Sequence, residues 1–145
     1  MLVARNTPAE ASTPIFRRAL LKDMLVPTER PAVPSSARSP LHQFGNPADI
    51  AALQKIADQH GLKLIYDAAH GAGACYQGVP VGKQGYAQVF SLSPTKLLTS
   101  GEGGMVTTND DELAANIRIG REYGNPGNYD TLFAGLNARM SEFNA

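Results

Sequence analysis

Lys96 sits between a Ser-Pro-Thr entry and a glycine-rich exit in "SPTKLLTSGEGGM", residues 93–105. Several kinds of chemistry compete for such a lysine: gripping a phosphate, bonding covalently to a carbonyl, acting as a general base, or none at all in a solvated loop. The glycines follow the lysine, so the run lacks the G-x-x-x-x-G-K-[ST] order of a nucleoside triphosphate loop. Covalent bonding to a carbonyl needs a desolvated amine and space for the group it holds. The apolar run before Lys96 and the side-chain-poor "GEGG" after it supply both. Ser91 and Ser93 alternate along the incoming strand, so their hydroxyls share a face and reach one anionic group. Taken singly, each serine also reads as structural.

The second stretch is "YDAAHGAGA", in which Asp67 ends an apolar run. An aspartate there is commonly a cap or turn carboxylate. The alanines and glycines at 68, 69, 71, 72, 73 and 74 also leave room for a flat ligand, and His70 brings an imidazole beside it. A carboxylate next to a heteroaromatic nitrogen keeps that nitrogen protonated, because an opposite charge favours the charged form. His70 has bland alternatives as a core or surface histidine. No Cys/His/Asp/Glu cluster with metal spacing accompanies it, so no metal site is expected. His42 and His60 form no pattern and read as structural. Cys75 lacks a basic neighbour in sequence and reads as a small hydrophobe, not a nucleophile.

The elements that must position these groups follow from periodicity. In "FGNPADIAALQKIADQHG", Asn46 reads as a cap, Pro47 as the first helical residue, and Gly61 as the stop. Ile50, Leu53, Ile56 and Ala57 recur at helical spacing. "LKLIYDAA", "AQVFSLS" and "GGMVTTN" read as strands, and "DDELAANIRIGREYG" as a second helix ended by Gly124. The class is α/β with a mainly parallel sheet, and the candidates lie at carboxyl ends of strands, where such sheets hold ligands. Residues 1–39 are proline-rich and irregular, with a helix expected from Thr13 to Met24.

Composition excludes several partners. The 145 residues carry no formal net charge, 43% are hydrophobic and 18% charged, an ordinary globular balance. Neutrality without basic clusters argues against nucleic acid. A single cysteine excludes an intrachain disulfide and fits a reducing compartment. No apolar run is long enough to span a bilayer, and "MLVARNTPAEASTPIFRRALL" lacks an uninterrupted apolar signal core. The expectation is a cytoplasmic protein.

The ordered set "DAAH", "FSLSPTKLLTSGEGGMVTTND" and "LNARMSEF", led by "LHQFGNPADIAALQKIADQHGLKLIYDAAH", resembles the pyridoxal-phosphate-dependent sugar-nucleotide aminotransferases, the DegT/DnrJ/StrS family. The resemblance covers roughly residues 40–145 and implies the large domain of an aspartate-aminotransferase-like fold. It implies pyridoxal phosphate as cofactor, Lys96 as its covalent anchor and later the proton-moving base, and Asp67 as partner of the pyridinium nitrogen. His70 takes the position that stacks on the ring, Ser91 contacts the phosphate, and Asn137 and Arg139 lie near substrate and dimer contact. The implied reaction transfers an amino group from an amino-acid donor to a keto sugar nucleotide, in a homodimer.

The departures shape further expectations. Residues 1–39 do not match the family's earlier segment with its phosphate-binding turn, and the chain stops at "SEFNA" without a small C-terminal domain. The reading is a fragment of the large domain that self-associates and is not a competent transaminase alone. Two alternatives stand beside it: a pyridoxal-phosphate sugar dehydratase, disfavoured because that branch carries His where Lys96 stands, and a non-catalytic remnant.

Overall fold

The computed structural model describes residues 2–5 and 40–145. The helix expected over residues 13–24 and the proline-rich stretch after it lie outside the described residues. The chain begins with strand β1, Leu2–Arg5, which no sequence signal singled out. Helix α1 follows at Ile50–Gln59 and strand β2 at Ile65–Asp67. A short ribbon, β3 at Cys75–Tyr76 and β4 at Val79–Pro80, leads through a 3-10 turn at Val81–Lys83 to β5 at Ala87–Ser91. Strand β6 is Gly104–Thr108 and helix α2 is Asp111–Gly120. Among the described residues, no helix is long and apolar enough to cross a membrane.

The four-stranded sheet has the order β1-β6-β5-β2. β2 pairs parallel with β5, and β1 pairs parallel with β6. β5 and β6 run antiparallel, so the sheet is mixed. The cause is local: the segment between them, residues 92–103, contains no helix. A parallel pair needs a crossover that carries the chain back, whereas a loop of this kind returns it alongside. The chain between β2 and β5 includes such a crossover, in the ribbon and 3-10 turn.

Alternation along β5 divides the core. Ala87 and Val89 face α2 and pack with Val106, Leu113, Ala114 and Ile117. Phe90 faces the other way and joins Ile50, Tyr66, Ala68 and Val81 on the α1 side. A strand apolar on both faces requires cover on both, and the two helices provide it.

The cap of helix α1 lies three residues after the expected one. Asp49 is the cap, its carboxylate accepting the Ala52 N–H at 3.1 Å. Asn46 instead closes a turn, donating its N–H to the Gln43 carbonyl at 2.9 Å. The stop at Gly61 is as expected: with φ at 61° it lets Leu62 N–H reach the Ala57 carbonyl at 2.8 Å, a Schellman closure. Ile56, expected on the buried face, is exposed. Helix α2 ends at Gly120, and Gly124 lies in the turn beyond it with φ at 78°. Cys75, expected to pack as a small hydrophobe, is exposed at the start of the β3–β4 ribbon.

Candidate functional site

The sheet sets Asp67 and Ser91 at the same end. In the parallel β2–β5 pair Asp67 is in register with Val89, and Ser91 lies two residues further along the same strand. On its other side Asp67 meets the incoming segment: its N–H donates to the Pro40 carbonyl at 2.9 Å, and its carbonyl accepts the His42 N–H at 3.0 Å. One carboxylate oxygen of Asp67 accepts the Ala69 N–H at 3.1 Å. Main-chain bonds on both sides therefore fix where this carboxylate leaves the strand.

Beyond β5 the chain turns sharply. Lys96 N–H donates to the Ser93 carbonyl at 3.0 Å, which places the lysine one turn after the strand end. The Ser91 hydroxyl donates to the Ser93 hydroxyl at 3.2 Å and accepts the Ser93 N–H at 3.4 Å. The paired serines thus form one polar patch on the way to Lys96. Lys96 is half-buried, and its ammonium makes no ion pair with any described residue.

His70 follows three residues after Asp67. Its ring is stacked on Phe44, with centroids 5.1 Å apart and planes inclined at 15°. Its Nδ1 is buried and has no hydrogen-bond partner among the described residues. The small residues around it serve packing more than open space. Ala68 lies in the core, Ala72 and Ala74 pack against it, and a side chain at Gly71 would press on the His42 Cβ at 3.2 Å.

The glycines after Lys96 have protein neighbours. A Cβ at Gly101 would meet Asn144 Nδ2 at 2.9 Å, and one at Gly103 would meet Met140 Sδ at 2.6 Å. Asn144 Nδ2 also donates to the Ser100 carbonyl at 2.6 Å. The C-terminal segment therefore closes over the lysine loop, a contact that loop composition could not indicate.

Asn137 and Arg139 belong to that same segment. Asn137 bridges to Glu122, and Ala138 N–H donates to the Arg121 carbonyl at 3.1 Å. Arg139 pairs with Glu122 at 3.1 Å. Burial and the adjacent Arg118 push the Arg121 guanidinium below its ordinary pKa. Asn137 and Arg139 thus join the end of α2, while their neighbours Met140 and Asn144 reach the lysine loop.

His42 is the group that sequence reasoning passed over. It is fully buried and stacked on Tyr66, with centroids 4.8 Å apart. Its Nδ1 accepts the Ala48 N–H at 3.1 Å, which leaves Nε2 to donate to Gln88 Oε1 at 3.0 Å. Its role is structural, as read, yet its backbone also anchors Asp67. The short alternation in "LHQF" was the available signal, and it is too brief to separate a strand-like bridge from a loop.

The lysine after a serine-bearing strand, the carboxylate on the adjacent parallel strand and the stacked imidazole all lie in a stretch that is similar to known proteins. The chain is 45% identical over 107 residues to the "Pleiotropic regulatory protein" of Geobacillus stearothermophilus, covering 73% of this chain and 29% of that protein. It is 42% identical over 107 residues to the dTDP-3-amino-3,4,6-trideoxy-alpha-D-glucose transaminase of Streptomyces venezuelae, covering 73% and 28%. The crystal structure of S. venezuelae DesV superposes with a TM-score of 0.68 at 42% identity, covering 72% of this chain and 28% of that one. The chain therefore spans less than a third of the length of these relatives. Residues 32–145 match one family throughout, taking in every side chain of the site, and the chain belongs to the DegT/DnrJ/EryC1/StrS aminotransferase family.

Proposed function

We infer that the chain forms part of the cofactor-binding large domain, over residues 40–145, of a pyridoxal-phosphate-dependent aminotransferase. In this reading an amino-acid donor supplies the amino group and a keto sugar nucleotide receives it. The observation that carries the reading is the placement of Lys96 one turn after the Ser91–Ser93 pair, at the sheet end where Asp67 leaves the neighbouring strand. Transaminase relatives such as that of S. venezuelae support the substrate class.

The residues present fit the cofactor. Lys96 has an amine unengaged by charge partners among the described residues, Asp67 offers an oriented carboxylate, and Ser91 and Ser93 offer adjoining hydroxyls. The buried, unpartnered Nδ1 of His70 is a polar atom that the described protein leaves unsatisfied. Such atoms are uncommon and mark sites with a further role. When bound, pyridoxal phosphate supplies an electron sink for charge developing on the substrate carbon.

The chain's residues then divide the work. Lys96 would anchor the cofactor through its amine and would serve as the base for the proton at the substrate carbon. Asp67 would hold the ring nitrogen positive by its opposite charge. Ser91 would donate to the phosphate, and His70 would pack on the ring. Asn137 and Arg139 stand on the substrate and dimer side. The exposed Leu97, Leu98, Tyr129, Leu132 and Phe143 supply apolar area for a homodimer. Nucleotide-sugar and polysaccharide synthesis in the cytoplasm is the setting that fits these substrates.

Borohydride reduction of the chain mixed with pyridoxal phosphate, followed by peptide mapping, tests the reading. A stable adduct on Lys96 is expected. An adduct confined to Lys55, Lys63 or Lys83 would overturn it.

A further inference from the structure

We propose that Phe44 is a positioning residue for His70, holding the imidazole by stacking on one face so that the other meets a flat ligand. The proposal rests on the cofactor site described above. Phe44 is poorly suited to its position on every other ground. It is 82% exposed, so burial gives little reason for an aromatic ring there. Its φ of 49° lies in the left-handed region, which bulky residues avoid. With Gly45 at φ 78° and Asn46 N–H donating to the Gln43 carbonyl, it occupies the first central position of a type I′ turn. Such positions favour Asn, Asp or Gly. A side chain kept against both burial and turn chemistry points to a role outside the fold.

The contact that remains is the stack on His70 at 5.1 Å. No hydrogen bond to a described residue fixes the His70 side chain, and its Nδ1 is buried without a partner. Ring packing is therefore what orients this imidazole. The turn that carries Phe44 is itself tied to the site, because His42 just before it donates its N–H to the Asp67 carbonyl and bonds Gln88 through its ring. Phe44, His70 and Asp67 are thus held in one frame.

The test compares Phe44→Asn and Phe44→Tyr with the wild-type 145-residue chain. Asparagine suits the turn but cannot stack as an aromatic ring does. Phe44→Asn is expected to keep or raise Tm, to move the His70 ring-proton resonances away from their ring-current-shifted positions, and to weaken pyridoxal phosphate binding by about fivefold or more in Kd. Phe44→Tyr is expected to restore both the resonances and the Kd. Wild-type Kd in Phe44→Asn would overturn the proposal, and so would a lowered Tm, which would make Phe44 a residue of the fold. If the wild-type chain takes up no pyridoxal phosphate, the functional reading fails separately. The His70 resonances of the free chains then decide, and unmoved resonances in Phe44→Asn overturn the stack as the ring's support.

Discussion

The Nε2 of His42 lies 3.0 Å from Oε1 of Gln88, and both side chains are fully buried between the sheet and the segment leading to α1. Because Nδ1 accepts the Ala48 N–H, the ring is bonded as a neutral imidazole with its proton on Nε2. Protonation at Nδ1 would break the Ala48 bond. Gln88 passes the connection on, donating through Nε2 to the Gln84 carbonyl at 2.9 Å.

This arrangement sets a pH dependence. Burial lowers the His42 pKa, against smaller raising effects of the Gln88 bond and the Asp67 charge. The unfolded chain, with an ordinary value of about 6.5, then takes up a proton first as pH falls. The stability from neutral His42 is present above about pH 6.5 and is lost as pH falls toward the lower folded value. His42→Gln should flatten this dependence in urea titrations between about pH 5 and 7 while costing about 2 kcal/mol at neutral pH. An unchanged slope in the variant would exclude His42 as its source.

Tyr66 should behave oppositely. Its hydroxyl is buried without a partner among the described residues, and burial pushes its pKa up to about 12. The raised value means the contribution is present below about pH 10 and lost as pH rises through the folded pKa. Removing an unsatisfied hydroxyl relieves a desolvation cost, so Tyr66→Phe should stabilise the chain by about 1 kcal/mol. Ultraviolet titration should show the loss of the latest-ionising phenol. A destabilised variant would show that the hydroxyl has a partner.

Two glycines separate conformation from collision. Gly61 and Gly124 both have positive φ, yet a Cβ at Gly61 meets nothing while one at Gly124 would strike the Phe133 carbonyl. Gly61→Ala should cost about 1 kcal/mol, the left-handed penalty alone. Gly124→Ala should cost about 3 kcal/mol or more, because backbone must move. Equal costs by urea denaturation would refute the clash.

Asp67→Asn should leave the fold nearly unchanged, because an amide oxygen can still accept the Ala69 N–H. Without the negative charge the ring nitrogen of a bound cofactor is less readily protonated. In a full-length enzyme that carries this segment, pyridoxal phosphate should still be trapped on Lys96, while the half-reaction with glutamate slows by at least about tenfold, equivalent to about 1.4 kcal/mol. Equal single-turnover rates in the two proteins would leave Asp67 as a turn acceptor only.

Much of this was legible in one dimension. The apolar run before Asp67, the serine-bearing strand before Lys96 and the helical spacing of Ile50, Leu53 and Ala57 are local patterns, and local patterns report strands and helices. They also carried the family resemblance, since the site residues sit at strand ends and in the turn that follows. Asp49 was read inside the first turn and proved to be the cap, because the type I′ turn at Phe44 and Gly45 delays the helix.

What the sequence determined by itself was the α/β class, the two helices and the strands β2, β5 and β6, and the positions of Asp67, His70, Ser91 and Lys96 relative to strand ends. The tertiary structure alone decided the antiparallel return of β6, the pairing of β1 beside it, the burial of His42 against Gln88, the stack of Phe44 on His70, and the closure of Met140 and Asn144 over the lysine loop. His42 and Gln88 are 46 residues apart, and Ser100 and Asn144 are 44 apart. Propensity and periodicity act within one element, whereas such pairs meet only once the sheet has ordered its strands, so no local pattern can encode them.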